Sequence, residues 1–223
     1  MTEFTGFPKT GLDFLTTLGT KNKMWFDDNR TVYDADVVAP AKAFVSAMGD
    51  ALGDRISTGI EAQPKTNGSI APINNDVRFN PDASPYKDHL MFRFWEGANK
   101  KTAPMLMVRL HPEDGVGFAS GMMIGDLDRW RTAIDEDGEP FAADLADLVQ
   151  ATKAEVVGEG LKRVPKPYAE DHPRGDLLRH KGFQVRWQEK VPKSVSTSSF
   201  ADWCAMRLEK TADIHHWLVA HFA

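Results

Sequence analysis

The chain has 223 residues, 42% of them hydrophobic and 26% charged, and carries a formal net charge of -5. That content can bury a substantial core, while the acidic balance excludes a protein whose main task is non-specific nucleic-acid binding, which needs a dense basic face to displace counterions. A single cysteine, Cys204, excludes an internal disulfide and fits a reducing compartment.

The segment Met1 to Lys9 has neither the charged start nor the apolar run of a secretion signal, and no apolar stretch is long enough to span a bilayer. The expectation is a single cytoplasmic domain over residues 1–223. In chain order, Pro8 suits the first turn of a helix that places Phe7, Gly11, Phe14, Leu15 and Leu18 on one side and ends at Gly19. A short helix is expected from Asn22. A long one follows from about Arg30, with Ala43, Phe44, Ala47, Met48, Ala51 and Leu52 in helical register, divided or kinked by Pro40 and stopped by Gly53.

From Ile60 to Ser120 the period changes to alternation, with Asn67-Gly68 as a hairpin-type turn. Leu90, Phe92 and Phe94 alternate with His89, Met91, Arg93 and Trp95, and Leu106, Val108 and Leu110 with Met105, Met107, Arg109 and His111. One sheet face is therefore apolar and the other mixed. A third strand spans Val116 to Ser120. Helices return after Gly125, and Pro140 opens a second one. The segment Val164 to Pro173 holds three prolines and reads as an extended loop. A helical turn over Arg174 to Lys181 leads to a strand with Phe183, Val185 and Trp187 on one side. The last helix starts near Ser199, spaced from Asp202 as in a capping box, and buries Trp203, Met206, Ile214, Trp217 and Leu218. The expected class is α+β, a mostly antiparallel sheet with helices packed on one face and helices at both termini.

The stretch Ile73 to Leu90 gathers ionisable groups without apolar periodicity, the usual setting for function in a loop. Arg78 offers a donor fork that matches carboxylate or phosphate, Lys87 a point cation, Tyr86 a neutral donor, and Asp76 a base or a partner for the arginine. A purely structural account also exists, in which Asp–Arg pairs staple the loop and Tyr86 caps the sheet. At Asp171 to Lys181, charges at Arg179, His180 and Lys181 complement a helix C-terminus; the functional alternative folds His172, Arg174, His180 or Lys181 over the site.

These motifs resemble the family known as domain of unknown function 2461. Its signature looks like arginine, two residues, arginine-aspartate, one residue, arginine-phenylalanine, then aspartate-lysine and proline-tyrosine-lysine. The chain matches at Asp76, Arg78, Phe79, Asp82, Pro85, Tyr86 and Lys87, and is similar again over Asn22 to Tyr33 and Asp171 to Phe183. It departs at Pro72, Asn75 and Ala83, where the signature has two arginines and a lysine. The resemblance implies no established activity, and the three lost cations imply a weaker hold on a highly charged anion. Arg93 and Arg109 are the natural replacements.

No histidine spacing marks a metal site, and no phosphate-binding, nucleophile-elbow or dinucleotide motif is present. Neither metal nor cofactor is expected, nor a nucleic-acid or membrane partner. The function expected is binding, and in its fuller form turnover, of a small anionic or phosphorylated ligand. Asp76, His89 and Tyr86 would be the catalytic groups; Arg78, Lys87, Arg93, Arg109, His111, Arg174, His180 and Lys181 would bind the ligand. The rival is a non-catalytic interaction module, or a decayed enzyme, that uses the Met/Trp-rich sheet face.

Overall fold

Short-range chemistry sets the first helices. In the computed structural model, which describes residues 3–78 and 84–223, helix α1 (Lys9–Leu18) begins directly after Pro8 and buries Gly11, Phe14, Leu15 and Leu18, as their spacing requires. Helix α2 (Lys23–Asp28) is capped by Asn22, whose side chain accepts the Trp25 N–H at 3.0 Å.

The long helix expected from Arg30 is three pieces: α3 (Arg30–Val32), a π-helical stretch over Tyr33–Val38, and α4 (Ala39–Arg55). Pro40 sits in the first turn of α4, where its missing N–H is harmless, but it cannot close an α-helical bond to the Asp36 carbonyl. The irregularity therefore falls before the proline. A Cβ on Gly11 would lie 2.1 Å from that same Asp36 oxygen, so the close approach of α1 needs glycine. Gly53 does not stop α4, which continues to Arg55. The buried face of Phe44, Val45, Met48 and Leu52 outweighs the roughly 1 kcal/mol that glycine costs a helix.

Five strands, β1 (Leu90–Trp95), β2 (Met105–His111), β3 (Gly115–Met123), β4 (Glu155–Val157) and β5 (Gly182–Glu189), form one antiparallel sheet in the order β1-β2-β3-β5-β4. The alternation read from the sequence is what the strands bury: of Leu90, Phe92, Phe94, Leu106, Val108 and Leu110, the most exposed is Leu90 at 4%. The expected strands between Ile60 and His89 are, among the described residues, only isolated bridges. A change of register explains the difference. Met91 O accepts the Ala71 N–H and Ser69 O accepts the Arg93 N–H, both at 2.9 Å, with Ile70 opposite Phe92, but Asn74 lies opposite Tyr86, where an unbroken ladder would set it opposite Asp88. The segment from Ser69 to Ala71 nevertheless covers the outer edge of β1. Asn67 takes the left-handed turn conformation, φ 63°, that Asn-Gly suggests.

The chain forms two compact units, one of Met1–Phe94, Met107–Gly117 and Gln188–Arg207, the other of Trp95–Leu106, Phe118–Trp187 and Leu208–Ala223. In the first, the Phe44 ring of α4 packs on Phe92 of β1 with centroids 4.7 Å apart, and Phe7 and Phe200 complete the cluster. Helix α7 (Ser199–Leu208) contributes Phe200 and Cys204, both fully buried on successive turns. Met206 lies on the opposite side and is 47% exposed, which corrects the expectation that it is buried. Asp202 is held by Arg55 at 2.7 Å.

In the second unit, helix α5 (Leu127–Thr152) is capped by Asp126, which accepts the N–H groups of Asp128 and Arg129. Asp137 is non-helical (φ -133°, ψ 16°), three residues before Pro140, so α5 is two helical segments meeting at a kink, with Pro140 in the first turn of the second as its sequence suggests. Phe141 packs on Phe183 of β5 at 5.1 Å and on Trp217 of helix α8 (Ala212–Phe222) at 4.4 Å. The short helix α6 (Gly175–Leu178) receives the Trp130 indole N–H on the Leu177 carbonyl, 2.8 Å. The single final helix expected from Ser199 is instead α7 and α8 joined by a 3-10 turn over Glu209–Thr211.

Candidate functional site

The loop before β1 is tied together largely by its own polar groups. Arg78 donates to both carboxylate oxygens of Asp76, at 2.8 and 2.6 Å, with both side chains exposed. The side-chain bonds from Arg78, then its backbone N–H, hold the Asp76 carboxyl below the usual range. Tyr86 is 5% exposed and stacks on Phe26 at 4.6 Å. The Lys87 amine donates to the carbonyls of Pro72 and Asn74, at 2.8 and 2.5 Å. Asn75, standing where the signature has arginine, uses its amide to hold the Ser84 and Tyr86 carbonyls. The sequence matches at Phe79 and Asp82, and the departure at Ala83, lie outside the described residues.

Three of the sequence-derived site residues, His89, Arg109 and His111, do meet, on the mixed face at the end of the loop. Their meeting point is two carboxylates that sequence reasoning missed, Asp88 and Asp114. Asp88 Oδ1 lies 2.8 Å from His89 Nδ1, and its Oδ2 lies 3.4 Å from His111 Nε2. His111 Nδ1 accepts the N–H groups of Glu113 and Asp114, at 3.1 and 2.9 Å, which places the proton of the neutral ring on Nε2. That N–H faces Asp88 on one side and Asp114 on the other, and Asp114 also lies 3.5 Å from Arg109 Nη2. With Asp88 receiving the Nδ1–H of His89, the Nε2 of that ring keeps its lone pair.

Burial and charge tune the pair in a useful direction. Burial works to raise the Asp88 pKa, but the bond from His89 and the field of His111 outweigh it, so the net shift is downward. Burial lowers the His89 pKa, and Asp88 offsets only part of that, so the ring is neutral at pH 7. Beside them, the Lys87 pKa is lowered by burial and by the charge of Arg93. Arg93 is exposed, and its guanidinium has no hydrogen-bond or ion-pair partner among the described residues.

The other ligand-binding candidates belong to the second unit. Arg174 donates to the Ile134 and Asp135 carbonyls, at 2.7 and 2.8 Å, just before the α5 kink. His172 lies 3.0 Å from the Asp135 carboxylate. Lys181 pairs with Glu159 at 3.0 Å. His180 is half-buried, and its Nδ1 has no hydrogen-bond partner. On the mixed face itself Met91, Met105 and Met107 are half-buried, and Trp95 is 5% exposed under the Lys100 amine, 4.8 Å from its ring. Asp88 could have been suspected as the immediate neighbour of His89; Asp114 carries no signal before β2 is known to turn back after His111.

Helices at both ends of a five-stranded antiparallel sheet, with a histidine–carboxylate cluster at the entry to β1, define an α+β protein with a candidate site on one sheet face. Residues 10–217, nearly the whole chain, match the family described as Conserved hypothetical protein (DUF2461), and the chain belongs to that family. No curated protein and no solved structure matches it. Among the described residues no helix is long and apolar enough to cross a membrane, and no group of three or more His, Cys, Asp or Glu side chains is arranged to hold a metal ion.

Proposed function

We propose that the protein binds a small anionic ligand on the first unit's mixed sheet face and moves a proton on it through His89. The observation that carries the reading is the Asp88 carboxylate, 2.8 Å from His89 Nδ1 and 3.4 Å from His111 Nε2. A carboxylate so placed fixes the tautomer of His89 and leaves Nε2 as the base, an orienting role familiar from catalytic dyads. Arg93, with Lys87 beside it, supplies positive charge that an anion would relieve. Asp88 thus takes the part expected of Asp76, whose carboxylate is committed to Arg78.

The test is a thermal-shift titration with inorganic phosphate, sugar phosphates, nucleotides and organic acids. At least one anion should raise Tm, and Arg93→Ala should weaken its binding by about tenfold, the loss of one charge-assisted contact. His89→Gln should retain binding and lose turnover of the anion so identified. The reading fails if no anion stabilises the protein, or if Arg93→Ala responds as the parent does. The interaction-module reading has less support, because the aromatic residue of that face, Trp95, is buried.

A further inference from the structure

The second unit contains a cleft of about 450 Å³ that the proposed anion site does not use. Its floor is an apolar stripe on α5, Ala142, Leu145, Ala146 and Val149, at helical spacing; Val156 of β4 and Leu177 of α6 form its sides. Val156 is 37% exposed, so the stripe continues into an apolar wall open to solvent. The volume lies within the range of small-molecule sites, roughly 300–1,000 Å³.

Polar groups on the cleft are few, and most are spent. The Arg174 guanidinium caps the Ile134 and Asp135 carbonyls, and the Asp176 carboxylate is bonded to Arg179. The group left over is His180. Its Nδ1 is buried without a partner, packed near Gly158: a Cβ on that glycine would lie 3.2 Å from Nδ1. A proton on Nδ1 would bury an unmet N–H donor, so the neutral ring carries its proton on Nε2, the nitrogen that remains accessible. Burial lowers the His180 pKa and keeps the ring uncharged at pH 7.

The geometry points to a second ligand site in this cleft, for a mainly apolar small molecule that carries no positive charge and has one carbonyl oxygen, which accepts the His180 Nε2–H while its hydrocarbon lies along Ala142, Leu145, Ala146 and Val149. A cationic head group finds no unspent carboxylate here, since Asp176 already holds Arg179, and its desolvation would go uncompensated.

Two eight-carbon probes on the full chain test this: octan-2-one and octylammonium, each titrated by thermal shift and by chemical-shift perturbation of labelled protein. Octan-2-one should bind and perturb Ala142, Ala146, Val149 and His180, with octylammonium at least about tenfold weaker. His180→Leu should weaken octan-2-one about five- to tenfold, the loss of one hydrogen bond. Ala146→Glu, on an exposed helix position and so without threat to the fold, should abolish binding by placing a charge in the stripe. The assignment is overturned by absence of octan-2-one binding, by equal binding of octylammonium, or by Ala146→Glu binding as the parent does.

Discussion

Arg174→Ala removes the donors that serve α5 at its kink. Its Nε and Nη2 satisfy the Ile134 and Asp135 carbonyls at 2.7 and 2.8 Å, where the helix is broken at Asp137 ahead of Pro140. A hydrogen bond from a charged donor is worth about 1.5–3 kcal/mol, and water can replace part of it at a half-exposed position, so the pair should contribute about 3 kcal/mol. With a urea m-value of about 2 kcal/mol/M, the unfolding midpoint should fall by about 1.5 M. The transition can be followed by tryptophan fluorescence, since Trp130 and Trp217 lie in the same unit, and Trp217 donates to the Asp137 carbonyl at the same kink. Arg174→Lys should recover roughly half of the loss, because one ammonium can reach one carbonyl but lacks the planar fork. A midpoint within about 0.3 M of the parent for Arg174→Ala would show that solvent serves those carbonyls equally well and refute the capping role.

Two glycines should respond with opposite signs. Gly11→Ala forces a Cβ to within 2.1 Å of the Asp36 carbonyl and should destabilise by about 2–3 kcal/mol, whereas Gly53→Ala enters open space on a helix and should stabilise by up to about 1 kcal/mol; chemical denaturation of both decides it, and equal signs would defeat the packing argument. Acid should weaken the fold before its carboxylates titrate. Burial lowers the folded-state pKa of His89, His180 and His215, the last despite its bond to Glu96. The unfolded chain therefore takes up protons first, near the ordinary pKa of about 6.5, and stability present above that pH is lost as pH falls through the folded values. Urea midpoints at pH 7.5 and 5.5 should show the decline, with a shallower slope in His215→Gln; a flat or rising profile toward pH 5.5 contradicts it.

What the sequence reveals tracks the range of the forces involved. Strands β1, β2 and β5 are legible because alternate residues such as Phe92, Val108 and Val185 are buried on one side of an extended backbone. The caps at Asn22 and Asp126 are local chemistry, and both helix starts, at Asn22 and after Gly125, are anticipated. Strand β4 is three residues long, too short for a period to appear, and exists because Glu155, Val156 and Val157 pair with Arg186, Val185 and Gln184 of β5. The stretch beside β1 reads as strand because its residues do bond to β1, yet the register shifts after Ala71 and limits that bonding to a few groups. The candidate site divides in the same way. His89, Arg109 and His111 share a face by alternation, but nothing local joins Asp88 to His111; only the pairing of β1 with β2 brings them within 3.4 Å. Arg174 reads as a ligand-binding cation because a free arginine and a helix-capping one are identical in sequence, and the carbonyls it serves lie about forty residues earlier.

The cover on the outer edge of β1 bears on how the chain behaves when crowded. An exposed strand edge is a template on which another chain can add, the first step toward cross-β association. Ser69 and Ala71 already occupy the β1 positions where a foreign strand would bond, at the Arg93 N–H and the Met91 carbonyl. At the opposite end of the strand order, β4 presents only Glu155–Val157, with Glu155 drawn into an ion pair with Arg186. Neither edge offers a long apolar strand, so loosening of the segment from Ser69 to Ala71, for instance by Ala71→Pro, which deletes the donor to Met91, should turn a quiescent edge into a nucleus for fibrils.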